Sequence, residues 1–132
     1  MLKGKLRWFF PALWGILIIV LSLLPGGVGN IQFLGIPYVD KIGHFGMYTV
    51  WAFFIFNAVY GNKNMTLGKV FWVTMISGTF AGILLEFGQY AMTMGRSFEI
   101  GDMIANGMGS VAGALTGMLF IARKKENFPK NT

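Results

Sequence analysis

The residues whose types and spacing could do chemistry lie in three short segments of the chain. In the first segment, Asp40, His44 and Tyr48 follow one another at intervals of four residues. In an α-helix such residues share one face and step along it by about 6 Å each. Glu86 and Gln89 form a second segment, at a spacing that also puts them on one helical face. A carboxylate can orient an imidazole, and a carboxylate in apolar surroundings can act as an acid or a base.

The third segment contains Asp102 and Asn106, which are also one helical turn apart, and two cations accompany the segments. Lys41 directly follows the first acid, and Arg96 lies shortly before the third segment. Such cations could bind a phosphate or carboxylate group, and arginine can do so bidentately. We predict two sets of site residues from these segments. The candidate catalytic residues are His44, Glu86, Asp40 and Asp102, and the candidate binding residues are Lys41, Tyr48, Gln89, Arg96 and Asn106.

Other kinds of site have weaker signals in the sequence. The candidate catalytic residues are also types that bind metals, but a single histidine among carboxylates is not specific for an ion. The chain has no cysteine, so thiolate chemistry is excluded. Neither Ser97 nor Ser110 lies in a complete nucleophile-elbow motif, and no phosphate-binding loop is present. We therefore predict neither a metal nor a cofactor.

The elements that must position these residues are long and apolar. The chain of 132 residues is 55% hydrophobic and only 12% charged, whereas an average soluble domain is about 25% charged. Its apolar stretches are close to the length of about 20 residues that a helix needs to cross hydrocarbon. We predict an all-α integral membrane protein, a bundle of four transmembrane helices in a single domain over residues 1–132. The predicted spans are residues 8–25, 40–60, 69–91 and 101–122.

The distribution of Lys and Arg predicts the orientation of the spans. Nine of the 11 basic residues would lie on one side, and cations near span ends are retained in the cytoplasm. We therefore predict that both termini are cytoplasmic and that the candidate site opens to the other side of the membrane. A cleaved signal peptide ending near residues 27–29 is an alternative, although the uncharged run before it is longer than usual. The nine residues are Lys3, Lys5, Arg7, Lys63, Lys69, Arg123, Lys124, Lys125 and Lys130.

Small residues predict where the helices approach one another. Gly109, Gly113 and Gly117 recur every fourth residue in the last span, and Gly78 and Gly82 do so in the third. Such residues let membrane helices pack closely, so we expect the third and fourth spans to pack through these two rows. The net charge of +6 on so apolar a chain suggests lipid as a partner and not nucleic acid. A homo-oligomer is compatible with this composition.

The polar segments, taken in order, resemble the signature of the VanZ-like family of membrane proteins. Residues 40–48 resemble its D-K-x-x-H-F-x-x-Y element, and residues 86–89 and 95–96 resemble its E-x-x-Q and G-R elements. Residues 102–113 resemble the D-x-x-x-N-x-x-G-x-x-x-G element, and residues 22–25 resemble S-L-x-P. Met94 departs from the proline that commonly precedes Gly-Arg. The resemblance implies a four-helix inner-membrane protein of bacteria, in a family whose named member is associated with resistance to the glycopeptide teicoplanin.

Three functions remain open at this point. The first is a site that binds the headgroup of an anionic or isoprenoid-linked envelope lipid, or a peptidoglycan precursor, with or without catalysis. The second is a small proton-linked carrier using His44 and Glu86, although we expect no path of polar groups beyond Tyr48. The third is a non-catalytic interaction protein in which the polar residues only hold the helices together.

Overall fold

The computed structural model describes residues 2–23, 38–61, 64–92 and 98–127, which form helices and, within these ranges, no strand. The helices are α1 (Leu2–Leu6), α2 (Phe9–Leu23), α3 (Val39–Tyr60), α4 (Leu67–Met92) and α5 (Ile100–Asn127). Arg96, the alternative cleavage site at 27–29 and the motif residues 24–25 and 95 lie outside the described residues, as do Lys63 and Lys130.

Four helices are long and apolar enough to cross a membrane, with α1 and α2 together supplying the first over Gly4–Leu23. This confirms the predicted all-helical chain with four apolar spans. The chain turns at Arg7 and Trp8 between α1 and α2. Pro11 explains the turn, because it has no N–H to donate to the carbonyl of Arg7 and its ring crowds that carbonyl.

The helix ends follow from local chemistry. Thr66 precedes α4, and its hydroxyl oxygen accepts a hydrogen bond from the Lys69 amide at 3.4 Å. Asp40 and Asp102 lie in the first turns of α3 and α5, where an acid is favourable beside the positive end of the helix dipole. α5 continues five residues beyond the predicted boundary at 122, because lysine is a good helix former and favours the last turn.

Among the described helices, α3 and α5 make the most extensive contact. The residues that meet show that these two helices run in the same direction. Lys41 near the start of α3 contacts Asp102 near the start of α5, and Phe56 lies against Gly117 further along both. α4 runs the opposite way. We call the end of the bundle at which α3 and α5 begin the polar end, and the opposite end the basic end.

The glycines of α5 pack against α3, and not against α4 as the sequence predicted. A Cβ at Gly113 would collide with the carbonyl oxygen of Thr49, and one at Gly109 would collide with that of Phe45. Gly117 lies against the ring of Phe56. The prediction was wrong because a row of glycines shows that one face of a helix carries small residues, but it does not show which neighbouring helix packs against that face.

Gly78 and Gly82 of α4 do face α5, as predicted. A Cβ at Gly78 would lie 2.6 Å from the hydroxyl oxygen of Ser110, and one at Gly82 would lie 2.8 Å from the Cβ of Asn106. α5 therefore packs through its glycines on α3 and through its polar side chains on the glycines of α4. The candidate site residues are brought together by these close approaches.

Two indole groups join α2 to α3. The Nε1 of Trp14 donates to the carbonyl oxygen of Met47 at 3.0 Å, and the Nε1 of Trp51 donates to that of Pro11 at 2.9 Å. A carbonyl oxygen has two lone pairs, so each acceptor can take an indole N–H in addition to a hydrogen bond within its own helix. These reciprocal bonds hold the first span in place.

Candidate polar site

Lys41 is surrounded by carboxylates at the polar end. Its Nζ lies 3.0 Å from Asp40 Oδ2, 2.8 Å from Glu99 Oε2 and 3.3 Å from Asp102 Oδ1. We call Asp40, Glu99 and Asp102 the carboxylate cage. Because the lysine already has three negative partners, it is poorly placed to attract an anionic ligand as well. The binding role predicted for Lys41 therefore becomes a role in organising the three acids.

His44 lies one turn deeper, between α3 and α5, and is 4% exposed. Its Nδ1 is 3.0 Å from Asn106 Oδ1, and its Nε2 is 3.8 Å from Asp102 Oδ2. Only the first of these distances is that of a hydrogen bond, so His44 is joined to Asn106 and lies beside Asp102.

Glu86 and Gln89 bring α4 into the polar end, and both are buried. The amide N–H of Glu99 donates to Glu86 Oε1 at 3.3 Å, which joins α4 to the start of α5. The Nε2 of Gln89 donates to the carbonyl oxygen of Ser22 at 2.8 Å, which joins α4 to the end of α2. Helix rise places Glu86 about 9 Å from the end of α4, so its carboxylate is well inside the bundle.

Tyr48 closes the polar site on the inner side. Its side chain is 1% exposed, and its hydroxyl oxygen has no hydrogen-bond partner among the described residues. The ring packs over Gly82 of α4. A buried hydroxyl without a partner is costly, so this oxygen is a natural contact for a water or for a polar atom of a ligand.

Buried polar groups continue a short way beyond Tyr48, contrary to the expectation from the sequence. Ser110 faces Gly78, and Thr74 is buried one turn of α4 further on. Ser and Thr do not reveal such a path in the sequence, because they also occur on the outside of membrane helices. The path then ends at an apolar core formed by Phe56, Val70, Ala114 and Ile121, against which Tyr60, Leu67, Phe71 and others pack.

The structure brings together all of the predicted site residues that it describes. The pairing differs in one respect, because His44 contacts Asn106 and Asp102 and does not form the expected pair with Asp40. Glu99 was not predicted as a site residue and is a member of the carboxylate cage. One signal in the sequence could have identified it, since it is one of only five acids and lies three residues before Asp102.

The polar site carries more acid than base within the described residues. Its side chains include four carboxylates, one lysine and one histidine. Three of these acids have oxygen atoms within 4.8 Å of one another, a spacing that a metal ion could use, but Lys41 already occupies the space between them. The chemistry that the site favours is therefore hydrogen bonding to donor groups.

The fold and the site together define a class: a small helical bundle of membrane-spanning length with a buried acidic site at one end. Comparison of the chain with family models, with curated proteins and with solved structures finds no match in any of the three.

Proposed function

We propose that this chain is a VanZ-like inner-membrane protein of bacteria whose polar end binds the headgroup of an envelope lipid. The observation that carries the proposal is the burial of three ionisable side chains, His44, Glu86 and Asp102, at one end of four helices that are long enough to cross a membrane. Each such group costs on the order of 2.5–3.5 kcal/mol in hydrocarbon, so it normally faces a wet cavity, a pathway or a ligand.

The orientation follows from the basic end. Lys69, Arg123, Lys124 and Lys125 are exposed there, as cations on the cytoplasmic side usually are. This distribution supports an orientation in which both termini are cytoplasmic and the polar site opens toward the outer leaflet. Lipid-linked precursors of the cell wall expose their headgroups on that side.

The charge of the site narrows the kind of headgroup. Lys41 is already neutralised by the carboxylate cage, so the described residues favour hydroxyl, amide or ammonium donors over a bare phosphate. The sugars and the peptide of an isoprenoid-linked peptidoglycan precursor carry such donors. A phosphate in the same ligand would have to be bound by other groups, and Arg96 is the candidate that the sequence supplies.

Binding is tested with two single substitutions and one control. His44→Ala and Glu86→Gln should each remain in the membrane and bind a lipid-linked precursor about tenfold or more weakly, because each removes a charge-assisted contact. Binding is measured by native mass spectrometry of the protein in detergent with added precursor. Tyr90→Phe is the control, since Tyr90 lies on the same helix but is exposed.

Two results would overturn this proposal. Unchanged binding in both variants would show that the site does not contact the headgroup. Loss of binding that only follows a loss of folded protein, measured by thermal unfolding, would support the view that the polar residues hold the helices together. Where the host shows teicoplanin resistance that depends on this protein, the same variants should reduce it.

A proton-linked carrier is the second candidate, and the position of His44 between two oxygens favours it. The apolar core around Phe56 argues against it, because transport would need this core to open. A flux in proteoliposomes that depends on pH and disappears in Glu86→Gln would establish the carrier and displace the lipid-binding proposal.

A further inference from the structure

A groove runs along the outside of the bundle between α2 and α4, with Trp51 of α3 at its base. Its volume is about 300 Å³, at the lower limit of the range of about 300–1,000 Å³ that is usual for small-ligand sites. We call it the apolar groove, because none of the described residues that line it is charged. Its lining includes Ile19, Leu23, Trp51, Leu84, Leu85 and Gly88.

The length of the apolar groove matches one leaflet of a bilayer. It extends along α4 from Ala81 to Met92. At 1.5 Å per residue this is about 16 Å, and half of a hydrocarbon core about 30 Å thick is about 15 Å. The groove begins at the polar end, where α2 and α4 both end, and stops near the middle of the bundle.

The apolar groove is also adjacent to the polar site. The hydrogen bond from Gln89 to the Ser22 carbonyl oxygen joins its two walls beside the polar side chains. The rings of Tyr48 and Trp51 meet edge to face with centroids 5.7 Å apart, so one aromatic pair separates the site from the base of the groove. A molecule with a polar head and a hydrocarbon chain could therefore contact both at once.

We infer that the apolar groove holds a hydrocarbon chain of the lipid whose headgroup the polar end binds. This inference rests on the proposed function and adds that the ligand must carry its own chain, so a free headgroup is not sufficient. A helix from a second copy does not fit. A segment of α-helix 16 Å long and about 10 Å across fills over about 1,000 Å³, whereas one extended hydrocarbon chain is much narrower.

The chain offers a clean way to block the groove. A Cβ at Gly88 meets nothing within 4 Å, so the ring in Gly88→Phe can enter the groove without forcing the helices apart. Gly46 is the matched control, because a Cβ there also meets nothing within 4 Å and it lies near the polar end outside the groove.

Photo-crosslinking in vesicles tests the inference. The full chain is reconstituted in phosphatidylethanolamine and phosphatidylglycerol with a trace of either lipid bearing a diazirine on its acyl chain, and adducts are mapped by peptide mass spectrometry. Leu84 lines the groove and is 55% exposed, whereas Ile104 lies at a similar depth outside it and is 58% exposed. We expect adducts at Leu84 to exceed those at Ile104 by about tenfold, a preference worth about 1.4 kcal/mol.

The preference for Leu84 should disappear in Gly88→Phe and persist in Gly46→Phe. Equal labelling of Leu84 and Ile104 in the unmodified protein would show bulk lipid only and would overturn the inference. Failure of the proposed function looks different. In that case labelling in the groove persists, but it is the same for both headgroups and is unaffected by His44→Ala.

Discussion

The two ends of the bundle carry charge in opposite ways. At the polar end, Lys41 is held by three carboxylates and Asp102 is buried against His44. At the basic end the cations are exposed, and Lys125 lies over the ring of Tyr60 at 5.4 Å from its centroid. Exposed cations orient a chain at little cost, whereas buried charges persist only where partners compensate for lost hydration. Burial therefore separates the charges that set orientation from those that form a site.

The largest expected effect concerns which end faces outward. The chain has no cysteine, so Tyr38→Cys at the polar end and Lys124→Cys at the basic end each introduce a single thiol. In intact cells, a maleimide that cannot cross the membrane should label position 38 almost completely and position 124 only after permeabilisation. The reverse pattern would mean that the polar site faces the cytoplasm.

The next largest expected effect is the stability lost when the close contact between α3 and α5 near the polar end is blocked. Gly109→Leu should destabilise the bundle by about 3 kcal/mol, because its side chain would collide with the backbone of α3 at Phe45 and force α3 and α5 apart. Stability is measured by unfolding in mixed detergent and SDS. Gly46→Leu, where a Cβ meets open space, should cost nothing. Equal effects in the two variants would refute the packing of α5 on α3.

A smaller expected effect is the difference in stability lost when a buried acid and an exposed acid are each replaced by an amide. Asp102→Asn should lower the free energy of unfolding by about 2 kcal/mol, because it weakens contacts to both Lys41 and His44. Glu126→Gln at the basic end should change it by less than about 0.5 kcal/mol, since Glu126 is exposed. Thermal unfolding in detergent measures both, and similar losses would remove the distinction between the two ends.

The smallest expected effect is the loss of stability when the cation inside the carboxylate cage is removed. Lys41→Met should destabilise the protein by about 1 kcal/mol, because Asp40, Glu99 and Asp102 then repel one another without a cation. Millimolar Ca²⁺ should restore the Tm of this variant, since carboxylate oxygens are its preferred ligands, and should leave the unmodified protein unchanged. If Ca²⁺ raises both Tm values equally, Lys41 does not occupy the centre of the cage.

Much of the fold could be predicted because the bilayer imposes simple rules on sequence. A run without charge must be about 20 residues long to cross hydrocarbon, and this rule located all four apolar helices within a few residues. α5 extends beyond the predicted span at 101–122, because a helix can continue into water beyond the hydrocarbon and Lys124 and Lys125 favour its last turn.

The candidate site could be predicted as a set of residues but not as a set of contacts. Helical spacing placed His44 on the same face as Asp40, yet the imidazole meets side chains of α5. Spacing along one helix describes a face, and the rotation of the neighbouring helix decides what meets it. Glu99 was missed for the same reason, since only the packing of α5 against α3 brings it to Lys41.

The sequence by itself determined the number of apolar helices, their approximate ends and the separation of acidic from basic residues along the chain. These features depend on local hydrophobicity and on charge, which are properties of neighbouring residues. Only the tertiary structure decided that Lys41 lies inside a carboxylate cage, that the glycines of α5 face α3, and that an apolar groove adjoins the polar site. Each of these depends on how helices far apart in sequence are rotated and packed, and packing depends on the shapes of both partners at once.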